Sequence, residues 1–231
     1  MIAFATILAR AAKRHGGAAA VEQGLPPPKS RAALIKLPDD RYLSEMCRRI
    51  FQAGLKHSLV DGKWPDFETV FHGFVPARVA KIPDEKLEAL MNDKRVIRHW
   101  PKLKAVPANA RAMVAVAREA GSFGAWLADW PTSEIVGLWA ALKDRFVHLG
   151  GNSGPYFLRS VGKDSFVLTD DVAAALIAAG VVERKPSGKA DLARVQQAFN
   201  RWAEESGRPL CQISRILAMS AGPVYDPESE P

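Results

Sequence analysis

Apolar residues along most of this chain recur at three- and four-residue intervals, the spacing that gathers side chains on one face of a helix, and sustained strand-like alternation is almost absent. Phe4, Ile7, Leu8 and Ala11 open the series with Arg10 and Arg14 off the stripe, which predicts an amphipathic helix ended by Gly16-Gly17. Pro26-Pro27-Pro28 predicts a stiff extended linker after it. Asp39 to His57 reads as one helix, and Pro83-Asp84-Glu85 opens another through Leu87, Leu90 and Met91. Pro101 suits the first turn of a third, whose stripe is Leu103, Val106, Ala110, Met113, Val114 and Ala117, with Pro107 as a candidate kink. Ser133 to Val147 reads as a helix capped by Thr132 or Ser133, with Glu134 where a negative charge meets the positive end of the helix dipole.

The pattern then changes. Leu149-Gly150-Gly151-Asn152-Ser153-Gly154-Pro155 is followed at once by Tyr156, Phe157, Leu158 and Val161, which predicts two helices joined by a tight glycine hairpin. A short extended stretch, Ser165 to Leu168, leads to Thr169-Asp170-Asp171, a cap for a helix through Val172, Ala175, Leu176 and Ala179. Leu192, Val195, Phe199 and Trp202 mark one further helix, and Leu210, Ile213 and Leu217 mark another. The expected fold is all-α. Its expected division is an N-terminal helix and Pro-rich linker at 1–30, one domain at 31–220 with the hairpin at about 149–155, and a polar tail at 221–231.

Composition narrows the class. With 48% hydrophobic and 25% charged residues among 231, and a mean hydropathy of −0.09, the chain reads as globular, which excludes fibrous, disordered and membrane-embedded classes. The N-terminal apolar run is too short to span a bilayer, and its basic residues follow it instead of preceding it, so a cytoplasmic protein is expected. Two cysteines, Cys47 and Cys211, exclude a disulfide-dense scaffold and do not complete a four-ligand zinc site. The net charge of +7 attracts polyanions, nucleic acid among them. The N-terminal helix is either docked on the domain or an arm for a membrane surface or DNA.

A glycine hairpin between helices presents backbone N–H groups beside a helix N-terminus, a setting that suits a phosphate oxygen. Gly150, Gly151, Asn152, Ser153 and Gly154 are therefore candidate phosphate-binding residues, although the same turn also serves simply to join packed helices. Asp170 and Asp171 lie about sixteen residues farther on, where a carboxylate can return beside such a hairpin. Acids in a first helical turn also stabilise it by ~0.3–1 kcal/mol with no chemistry at all.

The run Phe51-Gln52-Ala53-Gly54-Leu55, then Phe74, Pro76, Val79 and Ala80, then Val96-Ile97-Arg98-His99, and then Lys102, Ala105, Asn109, Ala110 and Arg111 resembles the DNA-3-methyladenine glycosylase I family in order and spacing. The block from Leu149 to Asp171 is similar to the hairpin and catalytic aspartate of the wider helix-hairpin-helix glycosylase superfamily. Together these matches cover most of positions 39–180. The resemblance implies a two-lobed all-α enzyme of base-excision repair, with an extra N-terminal helix in this chain. Such an enzyme hydrolyses the N-glycosidic bond of an alkylated purine like 3-methyladenine in duplex DNA, as a monofunctional monomer. It assigns the catalytic carboxylate to Asp171, with Asp170 as the alternative, and the base pocket to positions 49, 52 and 57. Two of those depart from the family: Arg49 stands where a glutamate contacts the lesion, and His57 where an aromatic stacks on the base, beside the retained Gln52. The family's structural zinc ligands are missing, since only His15 stands in the N-terminal segment and no Cys or His follows Cys211. No metal or organic cofactor is therefore expected. The alternative function is a DNA- or lesion-binding protein that has the scaffold without base excision.

Overall fold

The computed structural model describes residues 1–222, so most of the expected 221–231 tail lies outside the described residues. The chain forms α1 (Phe4–Arg14), α2 (Ala18–Gln23), α3 (Arg31–Lys36), α4 (Asp39–Gln52), α5 (His57–Val70), α6 (Pro76–Val79) and α7 (Asp84–Leu90). It continues through α8 (Trp100–Ala120), α9 (Phe123–Asp129), α10 (Ile135–Arg145), α11 (Ser153–Val161), α12 (Asp170–Ala178), α13 (Gly188–Ser206) and α14 (Leu210–Ala221). Tight 3-10 turns occupy His72–Phe74 and Thr132–Glu134, and no strand occurs among the described residues. The all-α expectation holds.

Two compact units divide the chain: a terminal unit of Met1–Pro28, Thr132–Val136 and the residues from Asp164 onward, and a central unit of Lys29–Pro131 and Gly137–Lys163. The first boundary falls at the end of the Pro26–Pro28 run.

In the central unit one core is an aromatic ladder. Trp64 stacks on Phe67 and on Phe74 with centroids 4.9 and 5.4 Å apart, and Phe51 meets Phe67 edge-on at 4.7 Å. Such pairs add to the burial of their area. Phe123 gathers Tyr42, Phe146 and Phe157 in a second cluster. The Tyr42 hydroxyl donates to the Leu34 carbonyl at 2.8 Å, and burial pushes its pKa up to about 12. Gly124 lets α9 meet α3, because a Cβ there would stand 2.6 Å from the Leu34 carbonyl oxygen.

The single helix expected from Asp39 to His57 is instead two, α4 and α5, broken at Ala53–Lys56. Gly54 adopts φ +77°, a left-handed conformation that ends the ladder and that glycine enters without a Cβ clash. The helix expected from Ser133 begins after the 3-10 turn, at Ile135, and stops at Arg145. Pro101 sits in the first turn of α8 as expected, and Pro107 lies inside that helix.

In the terminal unit Phe166 stacks on Phe199 at 4.0 Å and Trp202 meets Phe199 edge-on. The predicted N-terminal stripe packs into this core: Phe4, Ile7 and Ala11 are buried, and α1 lies against α14, α13 and α2. The docked reading of that helix is the observed one. The Trp202 indole donates to the Ile2 carbonyl and the Ile2 N–H to the Ala179 carbonyl, which ties the chain start to α13 and α12.

Candidate functional site

The central unit carries the hairpin. Gly151 has φ +57°, and Ser153 N–H donates to the Gly150 carbonyl to close the turn that starts α11. Gly154 is required by close approach, since a Cβ would lie 2.8 Å from the Leu149 carbonyl oxygen. The structure thus places the predicted Gly150, Gly151 and Asn152 in the turn, and Ser153 and Gly154 in the first turn of the nine-residue helix that follows.

What aims that turn is a residue the sequence offered only as part of a motif. Asn109, fully buried on α8, accepts from Val147 N–H at 2.7 Å and donates to the Val147 carbonyl at 3.1 Å, clamping the backbone just before the hairpin. The neighbouring motif residues make similar ties. Lys102 Nζ donates to the carbonyls of Phe51 and Ala53 at the end of α4, and Arg111 donates to the Ala80 carbonyl after α6. A buried amide at the 109 position was the available signal, because it needs partners for both its donor and its acceptor.

The structure places Gln52 beside Asp61 and turns Arg49 to a different partner. Gln52 Nε2 donates to Asp61 Oδ1 at 2.9 Å, and Arg48 binds the same carboxylate. Arg48, Gln52 and His57 each lower the pKa of Asp61, although burial opposes them. Arg49 turns away from this cluster and lies over the Tyr156 ring in the first turns of α11, 4.2 Å from its centroid. Desolvation lowers its pKa.

The terminal unit carries the aspartates at the start of α12, where the Thr169 hydroxyl accepts from Val172 N–H as the cap. Asp170 is exposed, paired with Lys185 at 2.5 Å, and that partner holds its carboxyl below the usual range. Asp171 is half-buried and packs on Gly222 at the end of α14. A Cβ at Gly222 would lie 2.6 Å from Asp171 Cγ, so glycine is what makes room for the carboxylate.

Gly222 is itself held. Arg14 Nη2 donates to its carbonyl at 2.5 Å, and His15 Nε2 is 3.1 Å from the Met219 carbonyl. His15 is thus engaged with a carbonyl, and the Cys211 thiol points to the Pro26 carbonyl at 3.4 Å. No group of three or more His, Cys, Asp or Glu that could hold a metal ion lies among the described residues. Lys163, just ahead of the extended stretch that leads to Asp171, is buried and donates to the Trp130 carbonyl at 2.5 Å. No helix among the described residues is long and apolar enough to cross a membrane.

An all-α chain with a glycine hairpin between α10 and α11, and an acid-capped helix after it, has the helix-hairpin-helix glycosylase fold. Across 96% of this chain and 96% of the other, it superposes on an 8-oxoguanine DNA glycosylase of Methanocaldococcus jannaschii with a TM-score of 0.57 at 12% identity, a likeness of fold alone. Residues 35–147 match the methyladenine glycosylase model. The chain is 40% identical over 75 residues to DNA-3-methyladenine glycosylase 1 of Escherichia coli (strain K12), covering 32% of this chain and 40% of that protein. With the DNA-3-methyladenine glycosylase of Haemophilus influenzae it shares 28% identity over 53% of this chain and 76% of the relative. A crystal structure of 3-methyladenine DNA glycosylase I matches with a TM-score of 0.50 and 25% identity over 63% of this chain and 87% of the other.

Proposed function

We propose that this protein is a monofunctional DNA glycosylase of base-excision repair that hydrolyses the N-glycosidic bond of an alkylated purine in duplex DNA. The observation that carries the reading is the role of the family-matched residues Lys102, Asn109 and Arg111: each ties α8 to a neighbouring segment, and Asn109 fixes the approach to the hairpin. The hairpin glycines then hold backbone phosphate through N–H groups, and the damaged nucleotide is extruded for attack.

Asp171 is the carboxylate of the reaction. As the C1′–N bond breaks, its electron pair leaves with the base and positive charge grows on the sugar. A carboxylate stabilises that charge electrostatically and takes the proton that the attacking water loses as its oxygen bonds to C1′. Asp170 is less suited because Lys185 occupies it. Engagement of Lys163 with the Trp130 carbonyl favours water over a lysine as nucleophile. The protein acts on double-stranded DNA as a cytoplasmic monomer without metal or organic cofactor.

Mass spectrometry of bases released from methylated duplex tests this. Wild-type protein releases a free purine and leaves an abasic site, whereas Asp171→Asn loses on the order of 10²–10⁴-fold in rate and still binds duplex. One observation favours the second reading, a non-catalytic binder: Gln52 is held by Asp61 and is not gathered with Arg49. Lesion-selective binding with no base released from any alkylated duplex would establish it.

A further inference from the structure

Among the described residues, one buried side-chain nitrogen or oxygen lacks a hydrogen-bond partner: Nε of Arg49. The side chain is half-buried, its guanidinium lies over Tyr156, and no carboxylate among the described residues pairs with it. Glu45, one turn earlier on α4, and Asp61 are both taken by Arg48. A guanidinium holds five donors in one plane. With one face against a ring, its unmet demand lies along its edge, and an edge of parallel donors is matched by two coplanar acceptors. A buried donor without an acceptor is unfavourable until a ligand supplies one.

We propose that Arg49, backed by Tyr156, reads the acceptor edge of the extruded base, and that this base is a neutral keto purine, an alkylated guanine with O6 and N7 open such as 1-methylguanine. The inference rests on the glycosylase reading and names its substrate class. Bidentate donation to O6 and N7 is the natural match of a guanidinium to guanine. An adenine lesion presents an amino group in place of O6, donor against donor, and a lesion that is cationic in DNA is repelled by the fixed charge. Burial favours a base over a backbone phosphate, because phosphate contacts are made by side chains reaching out over the surface, whereas here Nε is enclosed and a stacking ring lies alongside.

Calorimetric titration of the full chain with free 1-methylguanine, free 3-methyladenine and inorganic phosphate tests the assignment without requiring catalysis. Wild type is expected to bind 1-methylguanine at least about tenfold more tightly than 3-methyladenine. Arg49→Met abolishes that preference, and Arg49→Glu reverses it. Tyr156→Leu, which keeps the charge, weakens 1-methylguanine in the same direction, and circular dichroism checks that each variant is folded. Equal affinities in the wild type, or a preference that survives Arg49→Met, overturn the proposal. So does a uniform loss of undamaged-duplex binding in Arg49→Met with a salt slope reduced by about one, the mark of a phosphate contact. If wild type shows the free-base preference but releases no base from any duplex, the glycosylase reading fails and the Arg49 assignment stands.

Discussion

At the scale of single residues, two glycines next to candidate chemistry are held to glycine by different neighbours and a third is not, and each sets an experiment. Gly154→Ala drives a methyl to within 2.8 Å of the Leu149 carbonyl oxygen, a contact that backbone movement must relieve. The expected cost is about 1–3 kcal/mol by denaturant titration, with weaker duplex binding by fluorescence anisotropy. Gly150→Ala is the control: its Cβ meets only Lys143 side-chain carbons, the nearer at 3.5 Å, and stability should stay within about 0.5 kcal/mol of wild type. Gly222→Ala pushes on Asp171, so base release should slow by roughly 10²-fold at unchanged duplex affinity, the signature of a displaced reacting group. The hairpin glycines were legible because they cluster next to a proline. Gly222 was not, because its constraint comes from a side chain on a different helix. Arg49 was legible as a departure from the family, but its partner Tyr156 was not, since nothing in one-dimensional spacing links α4 to α11.

At the scale of elements, the helices with full-length stripes were readable, and those lacking one were not. α12 and α14 bury their predicted faces in full, whereas Leu8 of α1, Val114 and Ala117 of α8 and Leu192 of α13 are only half-buried. The short α2, α3 and α6 present a single buried residue each, too few for a period to show. α5 was hidden because Gly62 and Pro65 read as breakers, yet the helix persists on the packing of Val60, Trp64 and Phe67. Element-level tests follow from the caps and ties. Thr169→Ala removes the α12 cap at a cost of about 1 kcal/mol, seen as a Tm lower by roughly 2–4 °C. Arg14→Ala loosens α1 from the end of α14 by a comparable amount. Because hydrogen bonds and apolar packing fasten the termini in our reading, a chelator should leave Tm unchanged, a result that differential scanning calorimetry with and without EDTA checks directly.

At the scale of the molecule, the net charge of +7 sets how DNA is first met. Duplex affinity should fall linearly on a log–log plot against salt, with a slope of about −0.9 for each phosphate neutralised, and anisotropy titrations at several ionic strengths measure it. Charge at this scale was fully legible in the composition. The division into units was not, because contact between residues 1–28 and the residues from Asp164 onward is a property of the folded chain that no local pattern encodes.

That division has a consequence for synthesis. The central unit is drawn from a nearly continuous stretch, whereas α1 finds its partners α13 and α14 only after all of the central unit has been made. At ~5–20 residues per second, the apolar stripe of Phe4, Ile7 and Ala11 waits roughly ten to forty seconds outside the ribosome with only the short α2 to cover it. For that interval the N-terminal helix is a ready client for a holding chaperone, and the emergence of α14 is the event that releases it.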